Sequence, residues 1–309
     1  MNTIACAVMF TVGISLVEVP TMQAIPLPRS EISLQRDGVE VARYLHDPSF
    51  RRPFVFPIVG PSGRSLTRMG HPHDPEGHSH HNSFWVSHHD VDGVSFWSDA
   101  GGRIVHQRVL KLEDGDAFAA VTVANSWVDP QGRELLRERR RIAVEPLEKG
   151  ESLLVLDLEL SAPGDRAATL GKTPFGLVGV RMAKTIGVND GGGRIRNSEG
   201  GEGEQGPSGV FWKHARWVDY SGPIARGATE GITLLDHPGN PDHPAGFHVR
   251  SDGWMGASLT LDRPLKIEPG KPLRLRYGLY VHSGTPDRAA LDRRWKAFAE
   301  ARVLELPGK

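Results

Sequence analysis

The sequence predicts an all-β fold, a large antiparallel β-sandwich closed by one C-terminal helix. Three observations predict it. From residue 31 onward apolar and polar residues alternate in short runs. Turn-forming pairs such as Asp-Gly interrupt the runs, and helical spacing of apolar residues is confined to the last segment. No linker, repeat or composition shift divides the chain, so a single domain over residues 30–303 is expected.

The first element is ISLQRDGVEVARYL. Asp37-Gly38 separates its two alternating arms, and a two-residue hairpin turn needs residues that tolerate positive φ. RIVHQRVLKL, AFAAVTVANSWV and ELLRERRRIAV follow, separated by EDGD and DPQGR, and read as a meander. SLLVLDLELS places Leu154, Leu156, Leu158 and Leu160 on one face, toward a core. Its other face, with Leu153, Val155, Asp157 and Glu159, is expected to meet a cavity or solvent. Residues 188–209, VNDGGGRIRNSEGGEGEQGPSG, are expected as a long polar loop. Strands resume at VFWKHARWVDY, GITLLDH, WMGASLTL and LRLRYGLYVHS. The helix is expected to start with Thr285 as its cap and Pro286 in its first turn. Leu291, Trp295 and Phe298 form its apolar stripe.

Lysine plus arginine (37) balance aspartate plus glutamate (37), so no net field draws nucleic acid or an anionic membrane. The run RERRR at 137–141 lacks interleaved aromatics and is expected on the outer face of a strand. The single cysteine, Cys6, excludes an intrachain disulfide framework and a thiolate zinc site. It lies in IACAVMFTVGISLV, which is short for a membrane span. The stretch reads as the core of a signal peptide over residues 1–24, with Ala24 at the cleavage point and a periplasmic or secreted product. With Met22 as the true start the product would be cytoplasmic. No membrane span is expected in the mature chain.

Seven of the 14 histidines fall between His71 and His89. Such a cluster has three uses. As a metal site, His78 and His80 would share one face of an extended strand with His81 beside them, and a divalent metal would be the cofactor. HPHDPE adds His71, His73 and Glu76, one residue short of a cupin spacing. DVDG at 90–93 offers part of a calcium loop, but a hairpin turn explains Asp92-Gly93 as well. As a proton-transfer site on a sugar, a histidine near its ordinary pKa works with a carboxylate, and no cofactor is needed. Trp85, Trp97, Trp217 and Tyr220 would stack on the sugar ring, although each would equally fill a core. The third use is a glycan-binding module without catalysis. NSEG (197–200), WVDYSGP (217–223), DHPGNPDHP (236–244) and FHVR (247–250) mix His, Asn, Glu and Arg beside tight turns, where loops present side chains.

HSHHNSFWVSHHDVDGVSFW, followed in order by those four motifs, resembles a bacterial family carried under the name methane oxygenase PmoA-like. The similarity runs from about Arg52 to His282. The name echoes a membrane-embedded methane monooxygenase subunit, whose bundle of membrane helices has no counterpart in this sequence. The family's His-Pro-His-His falls on His78, Ser79, His80 and His81, with Asn82 replacing an arginine. The histidine before its turn falls on His88, and Asp92 replaces the turn's asparagine. Its Trp-His-Val-Arg becomes Phe247, His248, Val249 and Arg250. Its Lys-Glu-Gly segment becomes GKTPFG, which keeps Lys172 and loses the glutamate. The layout is also similar to the supersandwich of galactose mutarotases, a likeness of fold alone.

The expectation is a carbohydrate-active protein whose partner is a small-molecule sugar, uronate or modified glycoside. His80, His81, His88 and His248 are the expected proton-transfer groups, with Glu199 as the carboxylate partner. Asn82, Trp85, Lys172, Trp217, Tyr220, His237, Asn240 and Arg250 are the expected substrate contacts. Arg250's planar fork suits a carboxylate or adjacent hydroxyls. The alternatives are metal-dependent oxygenase or hydrolase chemistry on His78, His80 and His81, and glycan binding alone.

Overall fold

The computed structural model describes residues 19–70 and 78–307. The apolar stretch around Cys6, and His71, His73 and Glu76, lie outside the described residues.

The described residues open with β1 (Met22–Leu27), β2 (Glu31–Arg36), β3 (Val39–Leu45), β4 (Phe54–Ile58) and β5 (Phe84–His88). They continue through β6 (Arg103–Glu113), β7 (Ala119–Val128), β8 (Glu134–Pro146), β9 (Ser152–Ser161), β10 (Ala168–Leu170) and β11 (Gly176–Arg181). A one-turn helix α1 (Val188–Gly191) precedes β12 (Arg194–Asn197), β13 (Lys213–His214), β14 (Trp217–Ala225) and β15 (Ala228–Asp236). Last come β16 (Gly246–Arg250), β17 (Trp254–Ser258), β18 (Leu265–Ile267), β19 (Leu273–Ser283) and α2 (Arg288–Glu300).

A nine-stranded antiparallel sheet has the order β1-β2-β3-β4-β5-β11-β17-β16-β13, and an eight-stranded one β12-β14-β15-β19-β9-β8-β7-β6. Their facing sides share one core, in which Val86, Val178, Phe247 and Met255 join Val121, Ile142, Leu156 and Leu279. The antiparallel sandwich expected from alternation is the fold the chain adopts. The β2–β3 hairpin turns at Asp37 (φ 51°) and Gly38 (φ 74°), as the Asp-Gly signal requires.

Several elements differ from the sequence reading. Leu154, Leu156, Leu158 and Leu160 do face the core. The opposite face of β9 meets a cavity only toward its end, where Glu159 lines one with Arg139 and Ser161. Leu153 and Val155 pack with Ala143, Leu235 and Tyr280 beneath Leu291 and Phe298 of α2. The helix is capped by Asp287, whose carboxylate accepts the Ala290 N–H, and not by Thr285. Within residues 188–209, β12 pairs with β14, because Ile195 is buried and Arg196 reaches the buried Asp219. Glycine signals on both sides hide that short strand. VFWKHARWVDY is two strands, with β13 in one sheet and β14 in the other. Of the RERRR run, Arg140 points between the sheets, where it pairs with buried Glu138. Arg137, Arg139 and Arg141 pair with Glu134, Glu159 and Glu113.

Met22–Leu27, expected ahead of the domain, form β1, and Met22 and Ala24 are buried in the core. A cut after Ala24 would divide that strand. No helix among the described residues is long and apolar enough to cross a membrane.

Candidate functional site

On the nine-stranded sheet, Trp85 lies opposite Gly179, Gly179 opposite Gly256, and Gly256 opposite His248. Their neighbours Val86, Val178, Ala257 and Phe247 belong to the core, so strand alternation turns this row to the outer face. A Cβ on Gly179 would stand 2.6 Å from the Trp85 indole. One on Gly256 would stand 2.8 Å from the Val178 carbonyl and 3.1 Å from the Trp254 indole. The two glycines therefore let two indoles lie over the backbone and form a floor.

The histidine segment stands above that floor. Residues 78–82 are not an extended strand, so His78 and His80 do not share a strand face. The segment turns back on itself, with the His81 N–H donating to the His78 carbonyl at 3.0 Å. The turn stacks the His78 and His81 rings at 4.4 Å and sets His81 against Trp85 (5.0 Å) and Trp254 (5.7 Å). His80 meets His81 edge-on at 4.6 Å. Trp97 closes one side, 5.9 Å from Trp254. On the other side His248 lies 4.0 Å from Trp254 and 5.3 Å from Phe175. All of these rings except the fully buried Trp85, together with His89, Ser98, Arg250 and Asp252, line a cavity of about 360 Å³. That is the lower end of the ~300–1,000 Å³ usual for small-molecule sites.

Arg52 holds the arrangement from beneath. Its buried guanidinium donates to the His80 carbonyl (2.8 Å) and Asn82 Oδ1 (2.9 Å). It also donates to the carbonyls of Phe96 (2.9 Å), Trp97 (2.8 Å) and Ser98 (3.4 Å). The two segments that flank β5 are joined by one planar donor. A carboxylate stands at the mouth: Asp252 lies 2.9 Å from Arg181 and 3.4 Å from His78 Nδ1.

Burial sets the electrostatics. It pushes His80 down to about 4, helped by the Arg52 charge, and His248 down to about 3, helped by Arg250. His81 falls well below the usual imidazole range through burial and the neighbouring His80 and Arg181. The expectation of histidines near their ordinary pKa is therefore corrected: these imidazoles are neutral at pH 7. His248 has the Pro174 carbonyl as its one backbone neighbour for hydrogen bonding and no side-chain partner among the described residues. His81 Nδ1 and the indole N–H groups of Trp85 and Trp254 are buried and unpartnered among those residues. Among the described residues no three His, Cys, Asp or Glu side chains are grouped to hold a metal ion.

The lowered values carry a stability consequence. The unfolded chain takes up these protons near pH 6.5. The native chain takes them up only near pH 4 at His80 and His88, and near 3 at His248. Stability is thus fully present above about pH 6.5 and falls as acidification protonates the unfolded state first. The melting temperature should decline between pH 6.5 and 5, above the ordinary carboxylate range. A flat profile over that interval would show that the imidazoles are not held neutral by the fold.

The structure brings His80, His81, His248, Arg250 and His78 to the cavity, with Trp85 fully buried against His81 and not part of the lining. The other sequence-predicted residues lie elsewhere. His88 shares the inward parity of Phe84 and Val86. It accepts the Asp90 N–H at Nδ1 (3.1 Å) and donates from Nε2 to Thr260 (2.8 Å). Asn82 serves Arg52. Glu199 is exposed, bonded by Ser198 (2.8 Å) and 3.7 Å from Arg216. Lys172 is exposed, although Phe175 of the same GKTPFG segment lines the cavity. Trp217 lies beneath α2 and donates to Asp292 (2.9 Å). The Tyr220 ring is in the core, and its hydroxyl bonds the carbonyls of Arg250 (3.2 Å) and Ser251 (3.1 Å), behind Asp252. His237 donates to the Ala301 carbonyl (2.7 Å). Asn240 bridges Asp236 (2.7 Å) and the Arg276 backbone (2.8 Å for both bonds). DHPGNPDHP thus fastens the C-terminal segment.

Asp252 and Trp254 escaped the sequence reading. Their SDGW follows FHVR directly, and the Asp-Gly pair hid a carboxylate inside a turn signal. Arg52 carried no signal at all.

No curated protein matches the chain. Among solved structures, the one described as "Putative kojibiose phosphorylase from human microbiome" matches with a TM-score of 0.37 and 9% identity. The match covers 85% of this chain and 32% of that one, so the chain spans about a third of that protein's length. A likeness at this level carries no argument about activity. Residues 31–296 match a family of unknown function, DUF6807, whose description names neither methane nor an oxygenase. Because that segment runs from β2 into α2 and contains every residue of the cavity, the protein belongs to the DUF6807 family.

Proposed function

We propose that the cavity binds a sugar ring, and that the protein acts on it by acid–base chemistry shared between its imidazoles and Asp252. The observation that carries this reading is the cavity's lining, in which His78, His80, His81, His248 and Asp252 are set among Trp97, Phe175 and Trp254. A ligand that fits this lining presents several donors and acceptors around a ring-sized body with apolar faces. A pyranose does so: its C–H faces suit Trp97 and Trp254, and its hydroxyls suit neutral imidazoles, each of which offers one donor and one acceptor. Arg250 extends the range to a uronate. In this reading Asp252, paired with His78, takes the carboxylate role expected of Glu199 from sequence.

The test is calorimetric titration of the untagged protein with methyl pyranosides of glucose, galactose and mannose and with glucuronate. At least one is expected to bind, with the affinity lost on replacing Trp254 by alanine. Absence of binding across the panel would remove the sugar reading. Neutral imidazoles are also what a divalent metal requires, which favours the histidine-based metal alternative. In this proposal no metal is needed, so a chelator should leave the melting temperature unchanged. One equivalent of tightly held metal, with a lower melting temperature on its removal, would decide for metal-dependent chemistry instead.

A further inference from the structure

We propose that the substrate is an oligosaccharide, a second sugar ring stacking on Trp212 outside the cavity; this rests on the sugar-binding reading above. Trp212 is the largest exposed apolar side chain among the described residues, with 50% of its surface accessible. It does not line the cavity, yet it stands beside it. The Trp212 N–H donates to the Phe247 carbonyl at 2.8 Å, and the next residue, Lys213, pairs with Phe247. That register sets Trp212 beside His248, at a ring distance of 6.2 Å. His248 therefore stands between two indoles, Trp254 inside at 4.0 Å and Trp212 outside.

Two further features set Trp212 apart from an incidental surface residue. Its backbone is left-handed, φ 56°, a conformation unfavourable for a bulky side chain and found chiefly where surrounding contacts enforce it. Its ring is backed by Phe211, stacked at 4.6 Å and 23°. Phe211 is in turn wedged between His248 (5.0 Å) and the Arg250 guanidinium (5.5 Å). Glu204 fixes that arginine at 2.9 Å and accepts the Ser251 N–H at 2.6 Å. A rigid, solvent-facing indole beside a sugar-sized cavity is the arrangement a further ring of the same ligand would use.

The experiment compares methyl glucoside, galactoside and mannoside with disaccharides containing the same residue, by calorimetry on wild type, Trp212→Ala and Trp212→Phe. Wild type is expected to bind the matching disaccharide about tenfold more tightly than the monosaccharide, the scale of one aromatic stacking contact. Trp212→Ala should abolish that gain and leave monosaccharide affinity and melting temperature unchanged, and Trp212→Phe should restore part of it. Equal affinities for the two ligand sizes, or a gain that survives in Trp212→Ala, would overturn the proposal while leaving the sugar-binding cavity in place. Loss of monosaccharide binding in Trp212→Ala would also overturn it, by making the residue structural. If wild type binds no sugar of either size, the sugar-binding reading itself fails and this proposal falls with it.

Discussion

Replacing Arg52 by methionine is expected to destabilise the protein by ~3–5 kcal/mol and to abolish ligand binding in the cavity. Two effects oppose each other. Methionine relieves the desolvation of a buried charge, a cost visible in the guanidinium being pushed down to about 10 by burial. Against that, the carbonyls of His80, Phe96, Trp97 and Ser98 and the Asn82 amide oxygen lose their donor. Hydrogen bonds to a charged donor contribute ~1.5–3 kcal/mol each, and several lost together outweigh one relieved charge. A drop in melting temperature of about 5–8 °C follows for a chain of this size. Arg52→Lys should recover only part of it, since an ammonium cannot span both loops as a planar fork does. A methionine variant that melts with the wild type would show that the two loops hold their own positions.

Replacing His248 by asparagine is expected to reduce turnover about a hundredfold or more, the usual contribution of a positioned acid or base, with ligand affinity changed far less. Asparagine keeps a donor and an acceptor near the same place but cannot exchange a proton. The pH profile makes the test sharper. With the free imidazole lowered to about 3, the acid limb of kcat/KM should lie well below pH 6. Turnover that survives the substitution would leave an enzyme with a different base, Asp252 being the next candidate. A ligand that binds but is never transformed at any pH would leave a binding module.

Much of the fold was legible because it rests on local rules. Alternation marks β9 through four leucines, and the hairpin at Asp37-Gly38 follows from which residues tolerate positive φ. The site was legible only in part. The same alternation could have separated His88 from Trp85, since residues three apart in a strand face opposite sides, but the density of histidines drew attention from parity. Trp217 and Tyr220 are chemically suited to a sugar, yet β14 belongs to the other sheet. Nothing in WVDYSGP states which sheet a strand will join.

By itself the sequence determined that this chain forms an antiparallel sandwich with a terminal helix, and it singled out the imidazoles at 78, 80, 81 and 248 as candidates for a site. Those are properties of short segments, set by side-chain period, turn propensity and functional-group chemistry. Only the tertiary structure decided that His81, Trp254 and His248 share one cavity, that Asp252 and not Glu199 stands beside it, and that the imidazoles there are neutral. Each of these depends on strand order and register across β5, β11, β17 and β16 and on burial by distant loops. Such long-range pairing is selected by the packing of the whole core, and no single segment encodes it.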